Sequence, residues 1–477
     1  MPVVLRPHQE ANVATLLAAL KTYGGALDAS DTGTGKTYTV LALCKRLNAR
    51  PAIVTRLCLI PSWQKAAAAI GVEPLFVTNY EQCKSAKFPW GTPVYKTVPA
   101  KDDKPETRVL YDYQWKIDVP RVIFVWDEAQ ALRDRTSGNS IIALAAFKRW
   151  KTVLLSATPF QTPMEAGVVG QVTRLFSENK FFSWMLQNGV RKNQYGRFAF
   201  IGDIPDGTRQ PPGTNKARGL QFMEGVHRQL FPARGCRTRH EDIPDFPETV
   251  LCAESIETGE ADAITDAYLA DIAELRLRDH ARAAQDVDPE FHDLVDPLPI
   301  VQMLRARQEA EVLKCSAIAE MARLAAEKGN KVAIFVNFDA SIDILADYLK
   351  CRYLIRGDGS TRRPKPKLGP VLLREQAIIE FQSNRADFII VNIRAGGVGL
   401  NLHDPEGKVP REALISPPYS AVDLKQVIGR VHRTGGAHSI QRILFAARTI
   451  EEKVMARVQA RLDNIDALTD GDLAVTA

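Results

Sequence analysis

Twice along its length this chain alternates short Val/Ile/Leu-rich runs with longer amphipathic stretches, and that alternation points to helices packed around parallel sheets. In residues 13–175 the strand candidates are PAIVT (51–55), RVIFVWD (121–127) and KTVLLSAT (151–158). The pattern returns at 312–450 with KVAIFVN (331–337), DFIIVN (387–392), EALIS (412–416) and QRILFAA (441–447). The expected fold class is α/β, with two lobes. No short-period repeat is visible, which argues against solenoids and propellers.

At about 150 residues per domain, the length of 477 leaves room for roughly three domains. Hydrophobic residues make up 45% and charged residues 25%, ordinary globular values that argue against wholesale disorder or a coiled-coil fibre. No apolar run approaches the roughly 18 residues of a bilayer span, and MPVVLRPHQEAN has no hydrophobic signal core. The expectation is therefore an intracellular protein with no membrane partner. Cysteines 44, 58, 83, 236, 252, 315 and 351 never form CxxC, which supports neither a disulfide framework nor a zinc site.

The net charge of +6 conceals two opposed blocks. Leu186 to His240 carries ten Lys/Arg against three Asp/Glu, interleaved with Tyr195, Phe198, Phe200, Phe222 and Phe231. Glu241 to Ile300 carries three basic residues against seventeen acidic ones. The basic block has two readings, a solvated insertion with the turns of IPDGTRQPPGTNKARG or a protrusion that faces nucleic acid. The acidic block reads as a linker and then a surface helix around 258–283. A polar insertion at about 84–119, with Trp90, Tyr95, Tyr111, Tyr113 and Trp115 at strand-like spacing, reads as a small β-hairpin.

Chemistry enters at Ser30-Asp31-Thr32-Gly33-Thr34-Gly35-Lys36-Thr37, between the apolar run GGALDA and the helical run YTVLALCKRL. Glycines let backbone N–H groups approach phosphates, and a helix N-terminus adds positive potential. Lys36 can reach the β and γ phosphates while the Thr37 hydroxyl ligates Mg²⁺. The loop departs from GxxxxGK[ST] only at Ser30, which stands in place of the first glycine. About ninety residues on, RVIFVWDEAQ ends an apolar strand in Asp127-Glu128. Asp127 can hold the metal through water, and Glu128 can polarise the attacking water. In QVIGRVHRTGG, Arg430 and Arg433 sit three residues apart on what reads as one helical face, suited to the charge that develops on a transferred phosphoryl group.

The order of these motifs resembles helicase superfamily two, and within it the Swi/Snf-type DNA-dependent ATPases and their compact viral and phage relatives. LRPHQ (5–9) is similar to the segment whose glutamine reads adenine, which implies that role for Gln9. VTRLCLIPSWQKA (54–66), VTNYEQ (77–82), DEAQ (127–130) and Ser156-Ala157-Thr158-Pro159 resemble the motifs that follow. In the second half KVAIFVNFDASIDILADYL, IRGDGSTR, VNIRAGGVGLNL, SPPYSAVDLKQVIGRVHRTGG and RTIEEKV complete the set. FPARGCRTRHEDIPDFPETV resembles the bridge between lobes. The loop reads DTGTGKT rather than MGLGKT, and DEAQ stands in place of DEAH.

The resemblance implies two tandem RecA-like lobes and an ATP-dependent helicase or translocase acting on duplex, forked or branched DNA. RNA unwinding and a non-motor ATP-switched clamp are the alternatives. The implied cofactors are ATP, bound by Gln9, Thr32, Gly33, Thr34, Gly35, Lys36, Thr37 and Gly399, and Mg²⁺, held by Thr37 and Asp127. Lys36, Asp127, Glu128, Gln426, Arg430 and Arg433 carry hydrolysis, while Gln130, Ser156 and Thr158 couple it to lobe closure. Arg56, Thr78, Asn337, Arg394 and Gly396 are the implied contacts to the nucleic-acid backbone. Further expected partners are replication or recombination proteins, and the expected oligomeric state is a monomer. The expected division is a first lobe over 1–178 holding the 84–119 insertion, the basic insertion and acidic linker over 179–300, and a second lobe over 301–477.

Overall fold

The computed structural model describes residues 3–98, 107–192, 196–204, 206, 210–244, 246–257, 298–356, 374–396, 400–433 and 435–469. The chain divides into two compact units, Met1–Pro244 with Asp463–Asp472, and Asp245–Leu462 with Leu473–Ala477.

The strands of the first unit are β1 (Gly25–Asp28), β2 (Arg50–Thr55), β3 (Phe76–Asn79), β4 (Gly91–Val98), β5 (Thr107–Trp115), β6 (Val122–Asp127), β7 (Lys151–Leu155), β8 (Val190–Lys192), β9 (Phe198–Phe200) and β10 (Gly235–Cys236). Six of them form a parallel sheet in the order β10-β1-β7-β6-β2-β3. Successive residues of a strand face opposite sides, so a sheet covered on both faces needs continuous apolar runs. Leu27, Val54, Phe124, Trp126 and Leu154 pack on one side with Ile142 and Ala146 of helix Gly138–Phe147 and Met223, Val226 and Leu230 of helix Thr214–Leu230. Ala26, Ile53, Ile123, Val125, Val153 and Leu155 pack on the other with helices Pro7–Tyr23, Lys36–Arg46 and Ile60–Ile70.

The described residues of 179–244 differ from the expected separate insertion, because they pack within the first unit. Phe181, Trp184, Met185, Val190 and Phe200 join its core, and β10 pairs with β1. The cause lies in spacing rather than charge. Helix Thr214–Leu230 buries Gly219, Met223, Val226 and Leu230 at intervals of three and four residues, while its Lys and Arg side chains lie outside that stripe. The polar insertion forms the expected hairpin: β4 and β5 pair antiparallel with an irregularity at Val94/Tyr95, and Tyr113 and Trp115 are buried against the core. The helix expected around 258–283 and residues 357–362 lie outside the described residues.

The second unit repeats the plan. Its strands are β11 (Thr249–Ile256), β12 (Lys331–Val336), β13 (Leu354–Ile355), β14 (Phe388–Asn392), β15 (Arg411–Ile415) and β16 (Ser439–Ala446), all parallel in the order β11-β16-β15-β12-β14-β13. Val332, Ile334, Val336, Ile390, Leu414 and Leu444 pack with Ile318 and Ala322 of helix Cys315–Glu327 and Ile342 and Leu345 of helix Asp339–Leu349. The fold class is thus α/β, with two parallel-sheet units flanked by helices, as expected.

Candidate active site at the phosphate loop

In parallel α/β sheets ligands bind beyond the carboxyl ends of the strands. The segments after β1, β7 and β6, three neighbouring strands, carry Ser30–Thr37, Ser156–Thr158 and Asp127–Gln130. The carboxyl end of the sheet's middle strands therefore gathers three of the motifs.

The loop after β1 is held by its own backbone and by helix Pro7–Tyr23. Gly33 and Gly35 have φ of +83° and +91°, a region open to glycine. A Cβ on Gly35 would also lie 2.1 Å from Gln9 Nε2. The Gln9 amide donates to the carbonyls of Thr34 and Gly35 at 3.4 Å and accepts from Arg6 N–H at 2.9 Å, so Gln9 braces the loop itself. His8 Nε2 lies 3.0 Å from Thr34 O. Thr34 donates its hydroxyl to Asp31 O at 2.8 Å. Thr37 occupies the first turn of the following helix. The Lys36 ammonium donates to the carbonyls of Ser30 and Asp31 at 2.6 and 2.9 Å. Burial lowers its pKa, against the opposing pull of Asp28, Glu128, Asp31 and Asp127.

Beyond β6 two carboxylates stand side by side. Asp127 Oδ2 accepts from Thr55 Oγ1 and Trp63 Nε1, both at 2.8 Å, and Oδ1 accepts from Glu128 N–H at 3.0 Å. Burial and the charge of Glu128 push its pKa up to about 6, although these bonds and Lys36 favour the carboxylate. Glu128 adopts φ of +55°, a strained conformation for an L-residue, of order 1 kcal/mol, that turns the chain sharply at the strand end. Its carboxylate accepts from Gln130 Nε2. The other end of that amide accepts from Ser156 Oγ at 2.6 Å, and Ser156 Oγ accepts from Thr158 N–H at 3.1 Å. Glu128, Gln130, Ser156 and Thr158 thus form one hydrogen-bonded chain between two motifs. Among the described residues no group of three or more His, Cys, Asp and Glu is arranged to hold a metal by itself.

The loop's far support is not foreseen from the sequence. Asn12 Nδ2 donates to Ser30 Oγ at 3.3 Å and to Thr238 Oγ1 at 2.9 Å, and Thr238 N–H donates to Ser30 Oγ at 3.1 Å. Ser30, the departure from the first glycine, is therefore buried and bonded on two sides. Arg237 forms a buried ion pair with Asp31 at 2.6 Å. The only signal in the sequence is the basic cluster RGCRTRH, which reads there as part of a bridge.

The remaining nominated residues are more dispersed. Arg56 follows β2, and Thr78 in β3 is buried with its hydroxyl donating to Gln82 Oε1 at 2.8 Å. In the second unit, Asn337 spends its amide on Glu311 Oε2 at 2.7 Å and Pro417 O at 3.2 Å. Arg394 is exposed at the start of the short helix Ile393–Gly396, its N–H donating to Asn392 Oδ1 at 3.0 Å. Gln426 is buried in helix Ala421–Ile428. Arg430 and Arg433 do not share a helical face, because that helix ends at Gly429 and the chain turns. Both instead reach the carbonyl of Leu400, at 3.4 and 3.5 Å. Gly399 lies outside the described residues.

The chain is similar in sequence to known proteins. The family described as helicase conserved C-terminal domain matches residues 313–435. A protein of Acanthamoeba polyphaga mimivirus named "Putative ATP-dependent RNA helicase L364" is 30% identical over 481 residues, covering 98% of this chain and 84% of its own length. The chromodomain-helicase-DNA-binding protein 1-like of Danio rerio is 21% identical, covering 98% of this chain, which spans 44% of that protein. A SWI/SNF-related, DEAD/H-box-containing regulator of chromatin from Caenorhabditis elegans is 31% identical over 162 residues, 33% of this chain and 15% of the relative. Among solved structures, the Sulfolobus solfataricus SWI2/SNF2 ATPase core in complex with dsDNA aligns over 100% of this chain and 98% of its own at 16% identity, with a TM-score of 0.34, too low to bear on the fold. No helix among the described residues is long and apolar enough to cross a membrane. With a relative matched along nearly its whole length and the helicase motifs in order on two parallel-sheet units, the chain belongs to the Swi/Snf-like helicases of superfamily two and is an ATP-hydrolysing enzyme.

Proposed function

We propose that the protein is a motor on DNA, acting on duplex, forked or branched substrates, that couples ATP hydrolysis to movement along the polymer. The observation that carries the reading is the hydrogen-bonded chain from Glu128 through Gln130 to Ser156 and Thr158. A carboxylate that activates water, tied to a second strand's exit, lets the state of the phosphates shift a segment with no phosphate contact of its own. The hard oxygens of Thr37 and Asp127 suit Mg²⁺, which would take its remaining ligands from water and phosphate and would polarise the phosphoryl oxygens. The raised pKa of Asp127 fits a site that a cation completes. Lys36 then neutralises phosphate charge, Glu128 orients the water, and Arg430 and Arg433, beside Gln426, stabilise the charge that redistributes during transfer.

The DNA assignment draws support from VNIRAGGVGLNL and from the DNA-directed names of the chromatin relatives. Arg56 and Arg394 are the leading backbone contacts, since Thr78 and Asn337 direct their polar groups inward. Contacts of this kind give salt-dependent binding with little base readout. A second reading, RNA, is favoured by the name of the mimivirus relative. The test is the ATPase rate at fixed salt against duplex, forked, Holliday-type and single-stranded DNA and against RNA. Stimulation by duplex or branched DNA is expected; stimulation by RNA alone would reverse the assignment, and stimulation by none would remove the motor.

A further inference from the structure

Asp31 is an anion inside a loop built for anions. It is the only acidic residue between Ser30 and Thr37, and a buried, uncompensated carboxylate there would repel a triphosphate. Its side chain is 3% exposed and meets the guanidinium of Arg237, 5% exposed, at 2.6 Å. Its second oxygen accepts from His240 N–H at 3.2 Å. The same Arg237 Nη1 donates to Ala29 O at 3.0 Å, while Nε donates to Thr469 O at 2.8 Å. Thr469 closes helix Ile450–Thr469, so that carbonyl belongs to the negative end of the helix dipole. The last turn is itself seated in the first unit: Leu468 is fully buried in the core, its carbonyl accepts from His227 Nδ1 at 2.7 Å, and Asp463 pairs with Lys216 at 2.6 Å.

We propose that Arg237 is a positioning residue that couples the docking of the C-terminal helix turn to the competence of the phosphate loop. It cancels the charge of Asp31 and pins the loop backbone at Ala29. Its orientation is set by Thr469, so the loop is held in its binding form while the last turn is in place. Lysine at this position would keep the charge but could not serve all three partners, because an ammonium lacks the planar fork of a guanidinium. The inference rests on the reading of residues 30–37 as the ATP-phosphate loop.

The test uses the full chain, with ATP turnover and titration by a fluorescent ADP analogue, and thermal melting to confirm folding. Arg237→Ala is expected to raise KM for ATP and Kd for the analogue about 10- to 100-fold while kcat stays within about threefold. Arg237→Lys should fall between it and the wild type. Adding Asp31→Asn to Arg237→Ala should restore most of the affinity, since no carboxylate remains to be cancelled. Leu468→Ala should raise KM in the wild-type background and change nothing further in Arg237→Ala. Unchanged affinity in Arg237→Ala, no rescue by Asp31→Asn, or an additive Leu468→Ala effect would each overturn the proposal. If Arg237→Ala does not fold, the comparison of Arg237→Gln with Asp31→Asn/Arg237→Gln, in which the side chain at 237 is neutral, carries the same rescue test. Lys36→Ala separates the two levels: wild-type turnover in that variant removes the phosphate-loop reading altogether, whereas loss of turnover beside normal nucleotide binding by Arg237→Ala removes this inference alone.

Discussion

Both units bury charge, and they treat it differently. In the second unit Glu311 is fully enclosed by donors: Asn337 N–H and Nδ2, Phe338 N–H and Ser341 Oγ all lie within 3.0 Å. Lys314 is equally enclosed, with Glu451 at 2.6 Å, Leu444 O at 2.7 Å and Ser416 Oγ at 3.0 Å. In the first unit Asp127 and Glu128 are neighbours of like charge, and the Lys36 ammonium is directed to backbone carbonyls at 2.6 and 2.9 Å. Buried charge with every partner supplied holds a fold together, whereas buried charge with a deficit of opposite charge marks a place where a ligand completes the arrangement.

That contrast can be broken by variants on either side. The largest effect is expected from Glu128→Gln: turnover should fall about 10²- to 10⁴-fold with the melting temperature nearly unchanged. A variant that turns over normally would show that the carboxylate pair is structural after all. Lys314→Met leaves Glu451 buried and unpaired, and should cost about 3–5 kcal/mol in denaturant unfolding, with turnover per folded molecule preserved. Glu311→Gln exchanges an acceptor oxygen for an NH₂ facing donors, and about 1–3 kcal/mol of stability should be lost, again without a change in KM. Ser156→Ala interrupts the chain to Glu128; basal hydrolysis should persist while its stimulation by nucleic acid drops roughly tenfold, about 1.4 kcal/mol of coupling. Equal loss of basal and stimulated rates would make Ser156 a part of the chemistry rather than of the coupling.

Much of the molecule is legible in its residue pattern. The long apolar runs become β2, β6, β7, β12, β14, β15 and β16 because a strand covered on both faces declares itself by composition. The hairpin of β4 and β5 is readable from its alternating aromatics. Residues 179–244 mislead for the opposite reason, since the count of Lys and Arg obscures an amphipathic helix whose buried positions are three and four residues apart. Spacing alone puts Arg430 and Arg433 on one helix, although Gly429 ends it. Asn337, just after β12, looks available for a polymer, and its partner Glu311 lies 26 residues earlier on helix Leu298–Leu313.

By itself the sequence determined the local chemistry: glycines that open the loop after β1, a lysine and threonine at a helix start, an Asp-Glu pair at a strand end. These depend on neighbours a few residues away, which periodicity and motif spacing report. Only the tertiary structure decided what surrounds them. The ion pair between Asp31 and Arg237 spans 206 residues, and the bond from Arg237 to Thr469 spans 232. Such contacts arise because β10 pairs beside β1 and the last helical turn packs into the same core, arrangements set by burial across the whole unit that local spacing does not encode.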